Sequence, residues 1–566
     1  MAKQWWKTTV GYQIYIRSFY DGNNDGMGDL QGIIEKLDYL EALGINAIWI
    51  TPFYPSPLDD NGYDISDFKA VDPSLGTLEQ AKELIEKAHQ KGIKVLLDYV
   101  MNQTSDEHPW FIEAKSSLDN PKRNYYLWAN PRINPEGKKV APNNWGSFFG
   151  GSAWNYSKET DQYYMKIFSD KMPDLNWDYP ALRKEMADVA RFWLDLGVDG
   201  FRMDAIAHLG RDLSFRNSRK GKPWEIVSDW SKFSNREVLY DYLHELYLDV
   251  FQHYDILTIG EVGGGAKLKE ALKYVNKDRP AIDMVFNFDT VWCNNIMGLE
   301  LIKKPLKIEV DVKALRKNLS YWIKGSMKAG IAFPIYWTNH DHPRVLSQYG
   351  SIEYHKVSGK LLAMVLLSLP GMIFIYNGEE IGMTNADYRH FKDFKDASSR
   401  KFIEMHKATL TKKEIINHLS YTARDHGHLP MQWSSKKYGG FSQKEPYLKM
   451  NENHQWINVE DQMNDPDSIW SMYQAMIRLR LKSKYSEILT QGDFATLDNN
   501  NPDVFVFVRR NKNHEIITIG NFKDRVVAYP EVKGEILMSN YETQLDSKLQ
   551  PFEGRLIVRE YYEKNS

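Results

Sequence analysis

The apolar residues of the chain fall into short runs that are rich in β-branched and aromatic residues. Between most of these runs lie segments with apolar positions at helical spacing, such as 78–92 and 179–197. The runs lie at residues 12–16, 46–50, 94–100, 198–203, 255–260, 281–288, 332–337 and 372–376. Because parallel barrel strands are buried on both faces, they lack polar alternation, and strands that alternate with helices predict a (β/α)8 TIM barrel.

Three parts of the chain depart from this alternation and predict additional units. Residues 103–175, rich in Trp, Asn, Gly and Pro, predict a domain inserted over the barrel mouth after the third strand. Residues 383–455 form a second irregular insertion after the eighth strand. Beyond residue 486, short β-rich runs with turn signals predict an antiparallel β domain. We therefore expect an α/β protein with a catalytic barrel at 1–102 and 176–485, an inserted domain at 103–175 and a C-terminal β domain at 486–566.

Composition and charge narrow the class of protein without identifying a function. The chain has 566 residues and a formal net charge of −3, which favours neither nucleic acid nor an anionic membrane as a partner. The most apolar segment, 361–376, contains a Pro-Gly pair and is too short to span a bilayer. The first residues lack the apolar stretch of a secretory signal, and the single cysteine, Cys293, excludes an internal disulfide framework, so we expect a cytoplasmic protein. The 17 Trp and 33 Tyr suit either core packing or stacking against sugar rings.

Acidic side chains stand at the C-terminal ends of four predicted strands: Asp98, Asp204, Glu261 and Asp341. Barrel enzymes place catalytic groups at this edge, and four converging carboxylates oppose one another's ionisation, which disfavours a purely structural role for all of them. Paired carboxyl groups are the machinery of glycoside hydrolysis, in which one attacks the anomeric carbon and the other protonates the leaving oxygen. Arg202, two residues before Asp204, either forms a structural ion pair or keeps Asp204 ionised as a nucleophile.

These residues also carry a resemblance to a known family. The stretches DYVMN, MPDLNW, GFRMDAI, TIGEV and NHD resemble the conserved regions of the α-amylase family (glycoside hydrolase family 13) in that family's order and approximate spacing. Longer stretches, among them NGYDISDF, YNGEEIGMTN and RDHGHLPMQW, are similar to the branch of oligo-1,6-glucosidases, α-glucosidases and trehalose-6-phosphate hydrolases. The resemblance covers nearly the whole chain and implies a glycoside hydrolase.

The resemblance implies roles for individual residues, position by position. Asp204 would be the nucleophile, Glu261 the general acid/base and Asp341 the carboxylate that stabilises the transition state. Asp64 and Arg424 would bind the terminal glucose and close the pocket, which would make the enzyme exo-acting. Tyr63 would be a stacking platform, and Gln103, Ala205, Arg202 and His340 would surround the sugar whose bond is cleaved (the −1 subsite). Phe148 and Phe168 would form walls of the pocket, and Asp98 would support the site from behind.

The segment DGNNDGMGDL is a candidate calcium loop. Its oxygen-bearing groups are the side chains of Asp21, Asn23, Asp25 and Asp29 and the carbonyl of Met27. The spacing matches most of an EF-hand loop, but its twelfth position is glycine rather than glutamate, so it is no EF-hand. The matching branch of the family binds a structural Ca²⁺ in this loop, so the resemblance implies Ca²⁺ here and no organic cofactor. The alternative is a metal-free turn rich in Asp and Asn.

Several positions depart from the family's pattern and bear on the choice of substrate. Gln103 stands where the family has a histidine that binds the −1 sugar, so we expect altered sugar binding with the chemistry retained. His342 and His428 replace the family's usual glutamine and arginine. Ala205, directly after the expected nucleophile, resembles family members that prefer α-1,4 linkages, and so does His208. In members that cleave α-1,6 linkages, valine stands at the position of Ala205. The alternative for Ala205 is simple packing where strand meets loop.

We therefore expect a retaining, exo-acting α-glucosidase that releases glucose from short α-glucosides, with α-1,4 favoured over α-1,6 linkages. The alternatives are an oligo-1,6-glucosidase, a glucosyl-transferring or sucrose-active enzyme, and a trehalose-6-phosphate hydrolase. A non-catalytic binding subunit is disfavoured because Asp204, Glu261 and Asp341 are all present. The expected partner is a small oligosaccharide, without nucleic acid or membrane, and the expected state is a monomer.

Overall fold

The predicted strands form one parallel sheet in the structure, a computed structural model that describes residues 5–296, 301–331, 333–497 and 501–561. The strands are β1 (Val10–Ile14), β2 (Ala47–Ile50), β3 (Lys94–Val100), β4 (Gly200–Asp204), β5 (Leu257–Glu261), β6 (Met284–Phe286), β7 (Ile335–Tyr336) and β8 (Ile373–Tyr376). Their order is β6–β5–β4–β3–β2–β1–β8–β7, and every pairing is parallel. Within the described residues β6 and β7 are not paired, so the barrel is nearly closed and the predicted fold class is confirmed.

Helices follow the strands and cover the barrel. The helix Leu78–Gln90 illustrates why they form: Thr77 and Gln80 make a reciprocal capping box, and the apolar face buries Leu84, Ile85 and Ala88. Apart from Ile16–Phe19 and Pro109–Ser116, which are described below, the α-helices between the strands are Leu30–Glu35, Leu37–Leu43, Leu78–Gln90, Pro180–Asp195, Val238–Asp249, Leu268–Tyr274, Val312–Lys328, Val345–Tyr349 and His355–Ser368. The helix Ile469–Lys482 follows β8 and its insertion.

The first strand lies two residues earlier than its apolar run predicts. Residues 12–16 are all buried, but the strand is Val10–Ile14, and a short helix, Ile16–Phe19, begins directly after it. The backbone N–H of Tyr15 donates to the side chain of Asn377 (2.9 Å) rather than to a neighbouring strand. Apolar periodicity alone cannot separate a buried strand from a buried helical turn, which explains the shift.

Two insertions stand at the C-terminal edge of the barrel. The one after β3 contains the helix Pro109–Ser116, a three-stranded antiparallel sheet and a small hairpin. Its strands are Trp128–Ala129, Gln162–Met165 and Trp154–Ser157, with Arg132–Ile133 and Lys139–Val140 in the hairpin. The one after β8 contains the helices Ala397–His406 and Lys412–Thr422, with Val459–Met463 just beyond it. Both supply side chains to the cavity described below.

The C-terminal part is an antiparallel sheet that packs on the barrel. It begins with the helix Ser486–Gln491, and its strands, in sheet order, are Asp493–Thr496, Val504–Arg510, His514–Asn521, Gly554–Glu560 and Glu535–Ser539, with Val527–Ala528 and Lys548–Leu549 paired beside them. The buried Arg509 donates to the carbonyl groups of Ser368 and Gly492, which fastens the sheet to the last turn of the helix His355–Ser368. In the part of the chain that the structure describes, no helix is long and apolar enough to cross a membrane.

Candidate active site

Arg202 is the centre of the site because one guanidinium holds three carboxyl groups. It is 1% exposed, and its Nη1 donates to Asp98 Oδ1 (2.7 Å) and to Asp204 Oδ1 (2.5 Å). Its Nη2 donates to Glu261 Oε2 (2.7 Å), an oxygen that also accepts from the backbone N–H of Ala205 (3.1 Å). Strands β3, β4 and β5 are neighbours in the sheet, which is why these side chains meet. A charge this deeply buried is tolerated because three carboxyl groups pair with its Nη atoms.

Asp98 faces away from the cavity and supports the site. Its side chain is buried, and its Oδ2 accepts hydrogen bonds from Trp49 Nε1 (2.9 Å) and Tyr63 OH (3.0 Å). With Arg202 on its other oxygen, the carboxylate is fully engaged by protein groups. It therefore fixes Arg202 and Tyr63 rather than touching a ligand.

The remaining pair of carboxyl groups differs in ease of ionisation. Burial, opposed by Arg202, raises the pKa of Asp204 to about 6. Burial, with the charges of Asp204 and Asp341 added, raises the pKa of Glu261 to about 8 although Arg202 opposes the rise. Near neutral pH the site therefore holds one ionised carboxylate and one carboxylic acid, which is the division of roles that glycoside hydrolysis needs.

Asp341 and His340 complete this edge of the barrel after β7. Burial opposes ionisation of Asp341, but the adjacent His340, Arg424 and Arg202 outweigh it and keep the pKa of this carboxyl below its ordinary value. His340 stacks on Tyr63, with ring centroids 5.2 Å apart and planes 2° from parallel. Burial lowers the pKa of His340 to about 3, so its ring is neutral at physiological pH. The stacked rings form a flat face beside the carboxylates.

The structure places Asp60, and not the predicted Asp64, beside Arg424. Arg424 Nη2 lies 2.8 Å from Asp60 Oδ1, and both residues line the cavity. The carboxylate of Asp64 is fully buried and accepts from Ser56 Oγ (2.9 Å) and from the backbone N–H groups of Asp59 (2.7 Å) and Asp60 (3.1 Å). Asp64 thus shapes the loop after β2, and that loop presents Asp60.

Arg424 binds two more carboxylates, one of which the sequence analysis missed. Its Nη1 lies 3.1 Å from Asp341 Oδ1, and its Nη2 lies 2.8 Å from Asp396 Oδ2. Asp396 comes from the irregular insertion after β8, where no motif marks it. Burial raises the pKa of Asp60 to about 7 despite Arg424, whereas Arg424 outweighs burial at Asp396 and lowers its pKa to about 2. The result is an ionic cluster on the cavity wall.

Gln103 lies where the sequence predicted a sugar contact, and it is also tied to the protein. Its side chain lines the cavity, while its Nε2 donates to the carbonyl of Tyr63 (3.3 Å) and its Oε1 accepts from Asn102 Nδ2 (2.9 Å). One amide hydrogen and one oxygen lone pair are left for a ligand, and the group has no charge to offer.

The carboxylates open into a cavity of about 340 Å³. Phe148 and Phe168 form a stacked pair in its wall, 5.5 Å apart between centroids. Ala205 lines it with backbone φ +49°, a left-handed conformation, and His208 lies nearby against Phe148. Other lining residues that the sequence analysis did not predict are Phe149, Met172, Trp230 and Phe288. All four lie outside the α-helices and β-strands of the structure, although Phe288 ends the apolar run 281–288.

The candidate calcium loop closes on itself through hydrogen bonds. The side chain of Asp21 accepts from the backbone N–H groups of Asp25 and Gly26, and that of Asp25 accepts from the N–H of Met27 (2.8 Å). Asp29 caps the helix Leu30–Glu35 and accepts from Asn23 N (2.9 Å). Among the described residues, no group of three or more His, Cys, Asp or Glu side chains is arranged to hold a metal ion. The donor chemistry, all oxygen, suits Ca²⁺, but these carboxylates are turned towards backbone amides.

Comparison with known proteins decides the family. The family model described as "Alpha amylase, catalytic domain" matches residues 13–492. The chain belongs to the alpha-amylase family. Within that family it is 39% identical to an oligo-1,6-glucosidase of Halalkalibacterium halodurans, over 99% of each chain. Among solved structures it resembles trehalose-6-phosphate hydrolase of Bacillus licheniformis (TM-score 0.89, 34% identity, 98% and 100% of the chains) and an isomaltulose synthase variant of Erwinia rhapontici (TM-score 0.90, 33% identity, 99% of each chain).

Membership of the alpha-amylase family identifies this chain as a glycoside hydrolase and confirms the resemblance found in the sequence. The matched residues include the end of β1 and the whole of β2 to β8, and with them the carboxylates around Arg202.

Proposed function

We propose that this alpha-amylase family member is a retaining, exo-acting α-glucosidase that releases glucose from the non-reducing end of short α-glucosides. The observation that supports it most is the placement of Asp204 and Glu261 on the two arms of the Arg202 guanidinium. Two carboxyl groups that share one guanidinium are close together, and retaining enzymes need a separation of only about 5–5.5 Å.

In the proposed reaction, the Asp204 carboxylate attacks the anomeric carbon while Glu261 gives its proton to the leaving oxygen. A covalent glucosyl–Asp204 intermediate forms, and the shortened sugar departs. Glu261, now ionised, takes a proton from water as the water oxygen attacks the anomeric carbon, and the bond to Asp204 breaks. Asp341 accepts hydrogen bonds from ring hydroxyls, and the face made by Tyr63 and His340 lies against the ring.

The exo-acting character rests on the cluster of Arg424 with Asp60, Asp341 and Asp396. We infer that this cluster binds hydroxyl groups of a terminal glucose and leaves no passage for a longer chain. Such charged groups, held in place before binding, select for a sugar end by hydrogen bonds that an internal unit cannot satisfy.

For linkage we propose a preference for α-1,4 over α-1,6 bonds, based on the small Ala205 beside the nucleophile and on His208. Oligo-1,6-glucosidase activity is the first alternative, since relatives at 39% identity carry that name. Trehalose-6-phosphate hydrolysis would need basic groups for the phosphate, and among the described lining residues Arg424 is the only Arg or Lys. Its three carboxylates already neutralise it.

A product profile tests this proposal. The purified protein would be incubated separately with maltose, isomaltose, sucrose, trehalose and trehalose 6-phosphate, with Asp204→Asn as the matched inactive control. We expect glucose from maltose faster than from isomaltose, released first as the α-anomer because retention preserves the configuration. Faster isomaltose cleavage would overturn the linkage proposal alone, β-glucose would overturn the retaining mechanism, and turnover no greater than that of the control would overturn the function.

We further propose that the loop of Asp21, Asn23, Asp25, Met27 and Asp29 binds a structural Ca²⁺. Binding would require Asp21 and Asp25 to exchange backbone N–H partners for the ion, which the all-oxygen donor set favours. We also propose that the protein acts as a monomer in the cytoplasm on free oligosaccharides, consistent with its weak net charge and single cysteine.

A further inference from the structure

An exposed tryptophan, Trp230, lies at the mouth of the cavity, where it could contact a ligand. Trp230 lies in a short 3₁₀ turn, Trp230–Lys232, in the segment that follows β4. Its side chain lines the cavity and yet is 43% exposed. Exposing a large indole to water has a free-energy cost, so a rigidly held, exposed tryptophan at a cavity mouth indicates a ligand contact.

The indole is held in place by its neighbours. Its ring lies 5.4 Å from that of Phe148, and Phe233, at the end of the turn, is fully buried. Asp229, just before it, accepts hydrogen bonds from Ser218 Oγ (2.6 Å) and Ser231 Oγ (2.7 Å). The turn is therefore anchored on both sides, and binding a ligand would require little ordering of this segment.

The chemistry of the site fixes which part of a substrate lies near Trp230. Glu261 donates its proton to the leaving oxygen, so the leaving group must lie on the Glu261 side of the cavity. Residues 263–265, which follow Glu261 after a single valine, are all glycine, and Gly263 and Gly264 line the cavity. A Cβ on Gly265 would lie 3.8 Å from the Trp230 ring, so the indole stands over this bare backbone. Trp230 and the acid thus border the same space.

We propose that Trp230 is a specificity-determining residue that stacks on the pyranose ring of the leaving group. Pyranose rings have an apolar face of C–H groups, and an indole offers a large flat surface of matching chemistry. The inference rests on the proposed glucosidase function and deepens it, because it assigns the recognition of the second sugar to one side chain. Trp230 touches no reacting atom and has no part in proton transfer.

The test compares substrates with and without a second sugar. α-D-Glucosyl fluoride fills the −1 subsite but has a single fluorine atom as its leaving group. Trp230→Ala should lower kcat/KM roughly tenfold for the disaccharide that the wild type cleaves fastest, and leave kcat/KM for α-D-glucosyl fluoride within about twofold of wild type. Trp230→Phe keeps a flat ring and should restore most of the disaccharide activity.

Trp224 provides a matched control on the same segment. It is 49% exposed and stacks against Arg132, but it lies outside the cavity lining, so Trp224→Ala should behave as wild type on both substrates. Equal losses on both substrates in Trp230→Ala would show that Trp230 only supports the wall through Phe148, and no loss on the disaccharide would show that it makes no contact. Either result overturns the inference. A wild type inactive on α-D-glucosyl fluoride as well would overturn the proposed function itself, and the inference with it.

Discussion

At the scale of single residues, the site depends on Arg202, which holds the carboxyl groups of Asp204 and Glu261 close together although their pKa values differ. Arg202 pairs with both Asp204 and Glu261, yet the pKa of Asp204 is raised to about 6 and that of Glu261 to about 8. The charge of Asp204 adds to the raised pKa of Glu261, whereas hydrogen bonding with Glu261 lowers the pKa of Asp204, so the protons leave the pair in two coupled steps. The same arginine therefore supports both the proposed nucleophile and the proposed acid.

This arrangement predicts a bell-shaped dependence of kcat/KM on pH for a disaccharide. Activity needs Asp204 ionised, so it is lost as pH falls through about 6, and it needs Glu261 protonated, so it is lost as pH rises through about 8. Initial rates across this pH range measure both limbs. Fluoride leaves without a proton, so the alkaline limb should weaken with α-D-glucosyl fluoride while the acid limb stays. An unchanged alkaline limb with the fluoride would contradict the assignment of Glu261 as the acid.

At the scale of elements, the strands could be predicted and the loops could not. Barrel strands such as β3 and β4 are buried on both faces, so their apolar runs are visible in the sequence, and the residues at their ends point to one edge. In the loop after β2, Asp59, Asp60 and Asp64 have the same chemistry. Which of them faces the cavity depends on the turn at Asn61 and Gly62, both with positive φ. No periodicity encodes that choice, and the sequence-based prediction placed Asp64 beside Arg424 where the structure has Asp60.

The two aspartates should respond differently to the same substitution. Asp60→Asn removes a charge from the Arg424 cluster, so we expect a raised KM with little change in thermal stability. Asp64→Asn replaces one of two oxygens that each accept from a backbone N–H, so its NH₂ group must face one such donor, which should lower the free energy of unfolding by about 1–3 kcal/mol and so reduce Tm. Steady-state kinetics and thermal unfolding of the two variants measure this. A raised KM without lower stability in Asp64→Asn, together with a neutral Asp60→Asn, would restore Asp64 as the sugar contact.

At the scale of the whole molecule, the barrel supplies the chemistry and the insertions supply the shape of the pocket. Asp204 and Glu261 end barrel strands, whereas Phe148 and Phe168 come from the insertion after β3. Arg424 comes from the insertion after β8. The reaction class was therefore readable from strand ends, but substrate choice depends on contacts between segments far apart in the chain. Such contacts leave no local pattern in a single sequence.

The proposed calcium loop also joins distant segments, and this makes its effect on stability testable. The backbone N–H of Asp21 donates to the carbonyl of Phe441 (3.2 Å), and that of Tyr447 donates to the carbonyl of Gly26 (3.0 Å). A cation in the loop would stiffen the contact between the segment after β1 and the insertion that carries Arg424. Ligand binding to the folded state alone adds about 2.7 kcal/mol when free Ca²⁺ stands at about 100 times its Kd. We therefore expect chelation to lower Tm and added Ca²⁺ to restore it.

Scanning calorimetry after chelation, with Ca²⁺ or Mg²⁺ returned, measures this effect. Mg²⁺ demands near-ideal octahedral geometry and gives up its water reluctantly, so it should restore Tm less than Ca²⁺ does. Asp21→Asn with Asp25→Asn should make Tm independent of both ions, because it removes two of the charges that attract a cation. The proposal is wrong if chelation leaves Tm unchanged and elemental analysis finds no calcium in the protein. The side chains of Asp21 and Asp25 would then serve only to accept hydrogen bonds from the loop's own backbone. In that case the contact with Phe441 and Tyr447 is held without a metal, and the loop is the Asp- and Asn-rich turn that its spacing also allows.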